Sequence, residues 1–269
     1  MKIVTAIQAR TSSRRLPGKT LLPLYGKPLL IRMVERVSRA NLKGTVVVAT
    51  SEMSDDDVIE EICTKQGISC FRGSLTDLLD RHYKLALAYE ADALVKIPSD
   101  CPLIDPLIVD QVIGYYLQNY PSFDFVSNLH PATYPDGNDV EIISIGTLKT
   151  AWEKAQRDFE REHTTPYIWE NPETFRIGNV CWPRGYDFST THRWTIDYQE
   201  DYQFISEVYD RLYPEDPGFG LDDILLLMKV HPEISGINNH LAGRYWYENH
   251  LGELHNIDNY KRKIMSYEV

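Results

Sequence analysis

The residues with the clearest chemical potential form a basic segment close to the amino terminus. They are Arg10, Ser12, Ser13, Arg14, Arg15, Gly18 and Lys19. Guanidinium and ammonium groups neutralise phosphate oxygens, and hydroxyl groups and backbone N–H groups beside a glycine supply further donors. Because the whole chain has a net charge of −11, this local positive charge predicts an anionic ligand, and a triphosphate suits it. The competing interpretations are a solvated loop and a short nucleic-acid-binding patch.

This basic segment is predicted to connect a strand to a helix. Residues 3–7 are a short apolar run rich in β-branched side chains, typical of a buried strand, and an amphipathic helical pattern begins near Pro28. In α/β proteins, a loop that follows a strand lies at the edge of the sheet where ligands bind. We therefore expect residues 9–19, here called the basic loop, to line a ligand-binding crevice.

Alternating strand and helix patterns predict the sheet around this loop. Strands are expected at residues 3–7, 45–50, 68–71, 93–97, 123–126, 140–143 and 174–181. In the first half, helical patterns separate them, as parallel neighbours require, whereas the second half is less regular. The sequence therefore predicts an α/β fold with a doubly wound, mainly parallel sheet of Rossmann type and an antiparallel excursion.

Composition limits the class of protein. With 39 acidic against 28 basic residues, the chain lacks the extended positive surface that broad nucleic-acid or anionic-membrane binding needs. No apolar run approaches the roughly 20 residues of a membrane span. The four cysteines show no Cys-x-x-Cys spacing and follow no signal peptide. We expect a cytoplasmic protein with reduced thiols, no membrane partner and no nucleic-acid partner.

A stretch rich in Pro, Gly and Asp at residues 213–218 predicts a domain boundary. The expected division is a main domain, residues 1–215, and a helical C-terminal extension, residues 216–269. The aromatic residues at 245–247 are expected to pack on the main domain or on a partner chain.

Two aspartates could complete a phosphate site with a divalent ion. Asp100 follows the strand expected at 93–97, and Asp197 follows a short apolar stretch, residues 194–196, interpreted as a buried strand. Protein-bound Mg²⁺ is usually held by one or two carboxylates together with substrate phosphates. A turn for Asp100 and a helix N-cap for Asp197 are the competing interpretations.

Several motifs together resemble the cytidylyltransferases that make CMP-activated sugar acids, and in particular their SpsF-like relatives from spore-coat and other surface polysaccharide pathways. The resemblance begins with Ala9-Arg10-x-x-Ser13-x-Arg15-Leu16-Pro17-Gly18-Lys19 followed by Gly26-Lys27-Pro28-Leu29. It continues in Ser99-Asp100-Cys101-Pro102, Asp136-Gly137-x-Asp139-Val140-Glu141, Arg161-Glu162-His163-x-Thr165-Pro166-Tyr167 and Ile196-Asp197-x-x-Glu200-Asp201.

The resemblance implies a nucleotide-diphospho-sugar transferase fold, a homodimer, and transfer of CMP from CTP to a small-molecule acceptor with Mg²⁺ on Asp100 and Asp197. Lys19, Arg10 and these two aspartates are the implied catalytic groups. By the same resemblance Arg72 contacts the pyrimidine, and Asp80-Arg81 occupies the place of the family's Leu-Asp-Arg element. An ordinary ion pair within a helix is the equal alternative for Asp80 and Arg81. The implied nucleotide-binding residues are Ala9, Arg10, Ser13, Arg15, Gly18, Lys19, Arg72, Asp80 and Ser99.

The acceptor is expected to bind in the irregular second half, at Asp139, Glu141, Glu162 and His163. These carboxylates suit a polyhydroxylated or amine-bearing acceptor. A carboxylate or phosphate acceptor would instead suit the basic side chains of Arg161, Arg184, His192 and Arg193. His163 is either a general base or an ordinary hydrogen-bonding residue.

Three alternatives remain open from the sequence. Within cytidylyl transfer, a hydroxyl acceptor gives a CMP-linked product and a phosphate acceptor gives a CDP-linked one. A sugar-1-phosphate nucleotidylyltransferase that uses another nucleoside triphosphate is a second enzyme class, although its opening loop is usually richer in glycine. A catalytically silent nucleotide-binding protein is the third.

Overall fold

The computed structural model describes residues 1–244, 246–250 and 252–254. In chain order its strands are β1 (Ile3–Gln8), β2 (Pro23–Leu24), β3 (Lys27–Pro28), β4 (Thr45–Ser51), β5 (Ser69–Gly73), β6 (Ala93–Pro98), β7 (Phe125–Ser127), β8 (Glu141–Ser144) and β9 (Ile177–Asn179). Its α-helices are α1 (Leu29–Ser38), α2 (Asp57–Lys65), α3 (Leu78–Ala88), α4 (Pro106–Gln118), α5 (Ile145–Lys154), α6 (Asp158–His163), α7 (Pro166–Trp169), α8 (Gln199–Leu212), α9 (Leu221–Val230) and α10 (Pro232–Ser235).

Seven strands form one mixed sheet in the order β5-β4-β1-β6-β8-β7-β9, and β2 pairs separately with β3. The neighbours among β5, β4, β1 and β6 are all parallel. Strand β8 runs antiparallel to both β6 and β7, whereas β9 is parallel to β7. The predicted α/β fold, mainly parallel with an antiparallel excursion, is confirmed.

The strand order creates a crevice at the centre of the sheet. From β1 the chain moves outward to β4 and β5, and then returns to β6 on the other side of β1. Such a reversal is a topological switch point, where open α/β sheets bind ligands beyond the carboxyl ends of the strands. Gln8 pairs with Pro98 across β1 and β6. The basic loop and the segment Ser99-Asp100 therefore leave the sheet side by side.

Apolar side chains cover both faces of the sheet. In β1, Ile3 and Ile7 join one cluster, which includes α1, α4 and α8. Val4 and Ala6 join the other, which includes α3, α5 and α6. Because successive residues of a strand point to opposite faces, a strand between two helical layers is apolar throughout. This explains why residues 3–7 are apolar apart from Thr5, whose buried hydroxyl donates to Lys43 O at 2.6 Å.

Three local predictions are wrong. Residues 194–196 are buried but form no strand, because their N–H groups bond to Asp136 O (2.7 Å, from Trp194) and Asp100 O (2.8 Å, from Ile196) instead of to a sheet neighbour. The segment 161–167, with an acid, an imidazole and hydroxyl groups, predicts a helix start. Residues 161–163 instead end α6, since Thr164 takes a φ of +73° that interrupts the helix. The strand expected at 174–181 is only Ile177–Asn179.

The segment after residue 215 packs against the sheet domain. Ile224 and Leu227 of α9 and Ile234 of α10 belong to the apolar cluster of α1 and α4. The proposed domain division stays a prediction, and residues 245, 251 and 255–269 of the expected extension lie outside the described residues. Among the described residues, no helix combines the length and apolar character needed to cross a membrane.

Candidate active site

The basic loop is folded back on itself beside the end of β1. The N–H groups of Ser13 and Gly18 both donate to Thr11 O, each at 2.9 Å. Gly18 has a φ of +69°, in the left-handed region that favours glycine. The chain then enters a 3₁₀ turn over Lys19–Leu21. This turn directs the Lys19 side chain across the crevice.

A carboxylate from outside the loop fixes its position. Asp56 Oδ1 accepts hydrogen bonds from Thr11 N (2.7 Å) and Thr11 Oγ1 (2.8 Å), and its other oxygen accepts from Ser51 Oγ. Burial alone would raise the pKa of Asp56, but these donors outweigh it and lower the pKa. The acidic run Ser54-Asp55-Asp56-Asp57 predicts only that this acid helps to cap the helix that follows. The structure makes it the anchor of the basic loop.

Lys19 joins the two candidate metal ligands. Its Nζ donates to Asp100 Oδ2 at 2.9 Å, to Asp197 Oδ1 at 3.1 Å and to Ile196 O at 2.6 Å. Burial disfavours the ammonium form, but the two carboxylates outweigh it and raise the pKa of Lys19. The structure thus brings together three residues that are far apart in sequence.

Asp197 is the most heavily paired group at this site. Besides Lys19, Arg15 Nη2 contacts Asp197 Oδ1 at 2.6 Å, and Arg193 Nη2 donates to Asp197 Oδ2 at 3.0 Å. Burial would raise the pKa of Asp197, but Lys19 and Arg15 outweigh it, so the pKa is lowered. The carboxylate is therefore ionised near neutral pH, as a metal ligand must be.

The remaining residues of the basic loop lie around this centre. Ala9 continues the sheet through its N–H bond to Ala49 O (3.0 Å), and Ser13 Oγ accepts from Leu16 N at 3.5 Å. Arg10 extends toward α6, where its Nη2 lies 3.8 Å from Glu162 Oε1. Arg14 is exposed.

Ser99 is placed beside the candidate metal ligands. Its backbone N–H donates to Gln8 O at 3.2 Å, and the residue is buried where β1 and β6 end. This position is next to Asp100, as the strand-end interpretation requires. Its assignment to nucleotide binding stays a prediction.

Arg72 and Asp80 have partners away from Lys19. Arg72, the last residue but one of β5, contacts Asp57 (2.6 Å) and Glu60 (2.8 Å) of α2. Asp80 accepts from Trp152 Nε1 at 2.8 Å and pairs with Lys84 at 2.8 Å. The helical ion pair considered for Asp80 is therefore present, with Lys84 as its partner instead of Arg81. Nucleotide contacts by Arg72 and Asp80 stay predictions.

The region expected to bind the acceptor contains a buried ion pair that the sequence analysis did not predict. Lys96, inside β6, contacts Glu141 Oε2 at 2.5 Å, and both residues are buried. The alternate positions of Asp139 and Glu141 predict one shared face of a strand, but Asp139 lies just before β8, so this shared face is not formed. Burial and the neighbouring Asp100 raise the pKa of Asp139 to about 7. A lysine within the apolar stretch 93–98 was the signal for a buried acidic partner.

His163 is held in its neutral form. Burial and, next, the positive charge of Lys96 lower its pKa to about 3. A general base is most effective when its pKa lies near the operating pH. His163 is therefore poorly matched to that role, and hydrogen bonding is the better interpretation.

The arginines considered for an anionic acceptor already have carboxylate partners. Arg161 donates to Asp77 at 2.9 and 2.5 Å, and Arg184 donates to Asp222 with two bonds of 2.6 Å. Arg193 is bound in a buried cluster of aspartates. His192 stacks on Phe188 with ring centroids 4.2 Å apart. These pairings leave carboxylates as the prominent groups of the expected acceptor side.

The donor set fits a divalent ion that also binds substrate phosphate. Among the described residues, no group of three or more His, Cys, Asp or Glu side chains forms a metal cluster. Asp100 and Asp197, however, converge on the same ammonium. Two hard oxygen ligands with the remaining positions left to phosphate and water are the arrangement that Mg²⁺ favours.

Comparison with known proteins agrees with this geometry. A profile of the family described as cytidylyltransferase matches residues 4–230. The spore coat polysaccharide biosynthesis protein SpsF of Bacillus subtilis is 31% identical over 236 residues, covering 86% of this chain and 95% of the relative. A cytidylyltransferase of Leptospira borgpetersenii serovar Hardjo-bovis superposes with a TM-score of 0.82 at 35% identity, covering 92% of this chain and 99% of that one.

A more distant structure shares the fold. The CMP:2-keto-3-deoxy-manno-octonic acid synthetase complexed with CTP superposes with a TM-score of 0.59 at 17% identity, covering 79% of this chain and 100% of that one. The nucleotidyltransferase fold is thus confirmed by the sheet order, the strand-end site and the matching structures. On the extent of the matched residues and the near-full-length relatives, this chain belongs to the cytidylyltransferase family.

Proposed function

We propose that this protein transfers the CMP group of CTP to a small-molecule acceptor and releases pyrophosphate, with Mg²⁺ held by Asp100 and Asp197. The observation that carries the proposal is the convergence of Lys19, Asp100 and Asp197 at the carboxyl ends of the central strands. The relatives support the nucleotide and the pathway, since one is a synthetase complexed with CTP and another acts in spore coat polysaccharide biosynthesis. We assign the chain a role in surface polysaccharide biosynthesis.

The chain's own residues act by alignment and charge neutralisation. The acceptor oxygen attacks the α-phosphorus of CTP, a new P–O bond forms, and the bond to the pyrophosphate oxygen breaks on the opposite side. In this proposal the cationic side chains of Arg15 and Lys19 neutralise the charge of the triphosphate. A bound Mg²⁺ ion would neutralise phosphate charge and template the reacting groups.

A hydroxyl acceptor must lose a proton during this step. We assign this proton to Asp139 in preference to His163, because burial raises the pKa of Asp139 above the ordinary carboxyl range, whereas the pKa of His163, about 3, lies far below the operating pH. The alternative phosphate acceptor has no such proton and would give a CDP-linked product. The carboxylates of the acceptor side favour the hydroxyl acceptor, polyhydroxylated or amine-bearing.

The assembly and location belong to the same proposal. We infer a homodimer in the cytoplasm, with CTP and a small-molecule acceptor as its partners and with neither nucleic acid nor membrane. The net charge of −11 supports the absence of polyanionic partners. Sedimentation analysis at micromolar concentration tests the dimer.

A pyrophosphate-release screen tests the activity. The four ribonucleoside triphosphates are each combined with Mg²⁺ and a panel of sugar acids, amino sugars, neutral sugars and phosphorylated small molecules. We expect release with CTP, and we expect Asp100→Asn and Asp197→Asn each to abolish it while remaining folded. Asp222→Asn is the matched control, because Asp222 pairs with Arg184 on the surface.

The other functional classes predict different outcomes of this screen. A preference for UTP or GTP with sugar phosphates would identify the alternative nucleotidylyltransferase. Binding of a nucleotide without release for any acceptor would support a catalytically silent protein. Wild-type rates in Asp100→Asn or Asp197→Asn would remove the metal assignment.

A further inference from the structure

A buried arginine lies directly behind the candidate metal ligand Asp197. Arg193 is 3% exposed, and its guanidinium contacts Asp201 Oδ1 at 2.9 Å, Asp197 Oδ2 at 3.0 Å and Asp136 Oδ2 at 3.4 Å. We call Arg193 and these three aspartates the Arg193 cluster. The sequence suggested Arg193 as an acceptor contact. Its burial and its three carboxylate partners instead give it an internal role.

The contacts of the Arg193 cluster control the orientation of Asp197 in two ways. Arg193 Nη2 holds Oδ2 of Asp197, which leaves Oδ1 directed at Lys19 and Arg15. Asp201 Oδ2 accepts the backbone N–H of Asp197 at 2.9 Å, and Arg193 binds both oxygens of Asp201 at 2.9 and 3.1 Å. The side chain and the backbone of Asp197 are therefore both tied to one guanidinium.

The cluster also explains why an arginine is needed. A planar guanidinium can bind two carboxylates at fixed angles, whereas a lysine ammonium acts as a single point of charge. Partners of metal ligands orient those ligands, and mutation of such partners typically reduces metal affinity by about 10- to 100-fold. Asn238 Nδ2 adds a further restraint, since it donates to Arg193 O at 2.9 Å and to Asp201 Oδ1 at 3.0 Å.

We propose that Arg193 is a positioning residue that holds one oxygen of Asp197 so that the other faces the divalent ion of the nucleotide complex. This inference rests on the proposed function, because it assumes that Asp197 is a metal ligand. Arg193 itself touches neither nucleotide nor acceptor. Its removal should therefore weaken the part of CTP binding that depends on metal.

The test measures the affinity of the full-length protein for CTP by isothermal titration calorimetry, once with Mg²⁺ and once with EDTA. Arg193→Lys keeps the positive charge but loses the two-carboxylate geometry. We expect CTP binding in Mg²⁺ to weaken by about tenfold, at the lower end of the range for partners of metal ligands, and binding in EDTA to stay at the wild-type value. Excess Mg²⁺ should restore part of the lost affinity.

A second variant and a control keep the test decisive. Asp201→Asn weakens the second connection of the cluster and should show the same metal-specific loss. Arg176→Lys disrupts a comparable two-bond pair with Asp124 on the surface, and it should bind CTP as the wild type does in both buffers. Thermal melts confirm that each variant is folded at the assay temperature.

Three outcomes would overturn the proposal. Equal losses of affinity in Mg²⁺ and EDTA would show a general structural role, and no loss in either buffer would show that Arg193 does not orient Asp197. If the wild type releases pyrophosphate from CTP and either pattern appears, only the positioning role fails. If wild-type CTP binding is independent of Mg²⁺, the metal assignment of the proposed function fails and the positioning role fails with it.

Discussion

Replacing Lys19 by methionine should strengthen divalent metal binding in the absence of nucleotide while abolishing turnover. The ammonium of Lys19 lies between Asp100 and Asp197, where a divalent ion bound to both would also have to lie. Metal entry therefore requires the ammonium to leave. In the complete nucleotide complex the displaced Lys19 would be free to contact the triphosphate.

The magnitude follows from the two carboxylate contacts of Lys19, which metal entry must break together with its bond to Ile196 O. Hydrogen bonds to charged groups contribute about 1.5–3 kcal/mol each. Since the released ammonium regains water and Asp100 is 28% exposed at its side chain, we take about 1.5–3 kcal/mol for the pair together. At about 1.4 kcal/mol per tenfold change, Lys19→Met should bind Mn²⁺ about 10- to 100-fold more tightly than the wild type does.

The assay follows the electron paramagnetic resonance signal of free Mn²⁺ during titration of the nucleotide-free protein. Pyrophosphate release from CTP is measured in parallel. Lys65→Met is the matched control, because Lys65 forms an exposed pair with Glu61 on α2, and it should leave both readouts unchanged. If Lys19→Met bound Mn²⁺ no more tightly than the wild type, the Lys19 ammonium would not compete with the metal ion for the position between Asp100 and Asp197.

Three further predictions concern the loops around the crevice. Asp56→Ala should lower the free energy of unfolding by about 1–3 kcal/mol, because Thr11 loses a buried acceptor, and it should raise KM for CTP. Chemical denaturation and initial rates measure these two effects, and an unchanged KM would contradict the anchoring role. Gly137→Ala should lower Tm, since the added Cβ would lie 2.7 Å from the backbone C and O atoms of Trp194 and the φ of Gly137 is +107°. The control Gly146→Ala, which places its Cβ in open space, should leave Tm unchanged. Equal melting temperatures for the two variants would contradict the close approach at Gly137. The folded state holds the Asp139 proton more tightly, with a pKa of about 7 against 3.8, so the ionisation of this carboxyl should remove at most about 4 kcal/mol of stability as the pH rises from about 4 to 7. Asp139→Asn should remove this loss in thermal melts at pH 5 and pH 8 and should slow pyrophosphate release; an unaltered pH dependence would show that this carboxyl does not titrate as described.

The positions of Lys19 and Asp100 could be predicted from general rules. Each lies in a loop that follows an apolar run interpreted as a strand, and the carboxyl ends of parallel strands meet at one edge of an α/β sheet. Asp197 reaches the same edge although residues 194–196 before it form no strand, so its prediction depended on the motif Ile196-Asp197-x-x-Glu200-Asp201 and not on sheet topology. The sequence also contained the cue for the pair of Lys96 and Glu141, because a charged residue in a buried strand requires a partner.

Other features depended on contacts between distant segments. Asp56 lies in a run of acids that fits a helix start equally well, and only the folded chain shows which acid turns back to Thr11. Residues 194–196 have the composition of a strand, but their hydrogen-bonding groups meet loop carbonyls at Asp100 and Asp136. Two partners of Arg193, Asp197 and Asp201, lie only four and eight residues further along the chain, but the third, Asp136, comes from a distant segment that the local sequence does not reveal.

The most direct test is a crystal structure with Mn²⁺ and a non-hydrolysable CTP analogue, in which anomalous scattering locates the ion. We expect one Mn²⁺ peak coordinated by carboxylate oxygens of both Asp100 and Asp197 and by phosphate, at metal–oxygen distances of about 2.0–2.3 Å. We also expect the Lys19 side chain to have moved to the triphosphate. An ion bound elsewhere, or Lys19 still between the two aspartates with nucleotide present, would contradict this expectation.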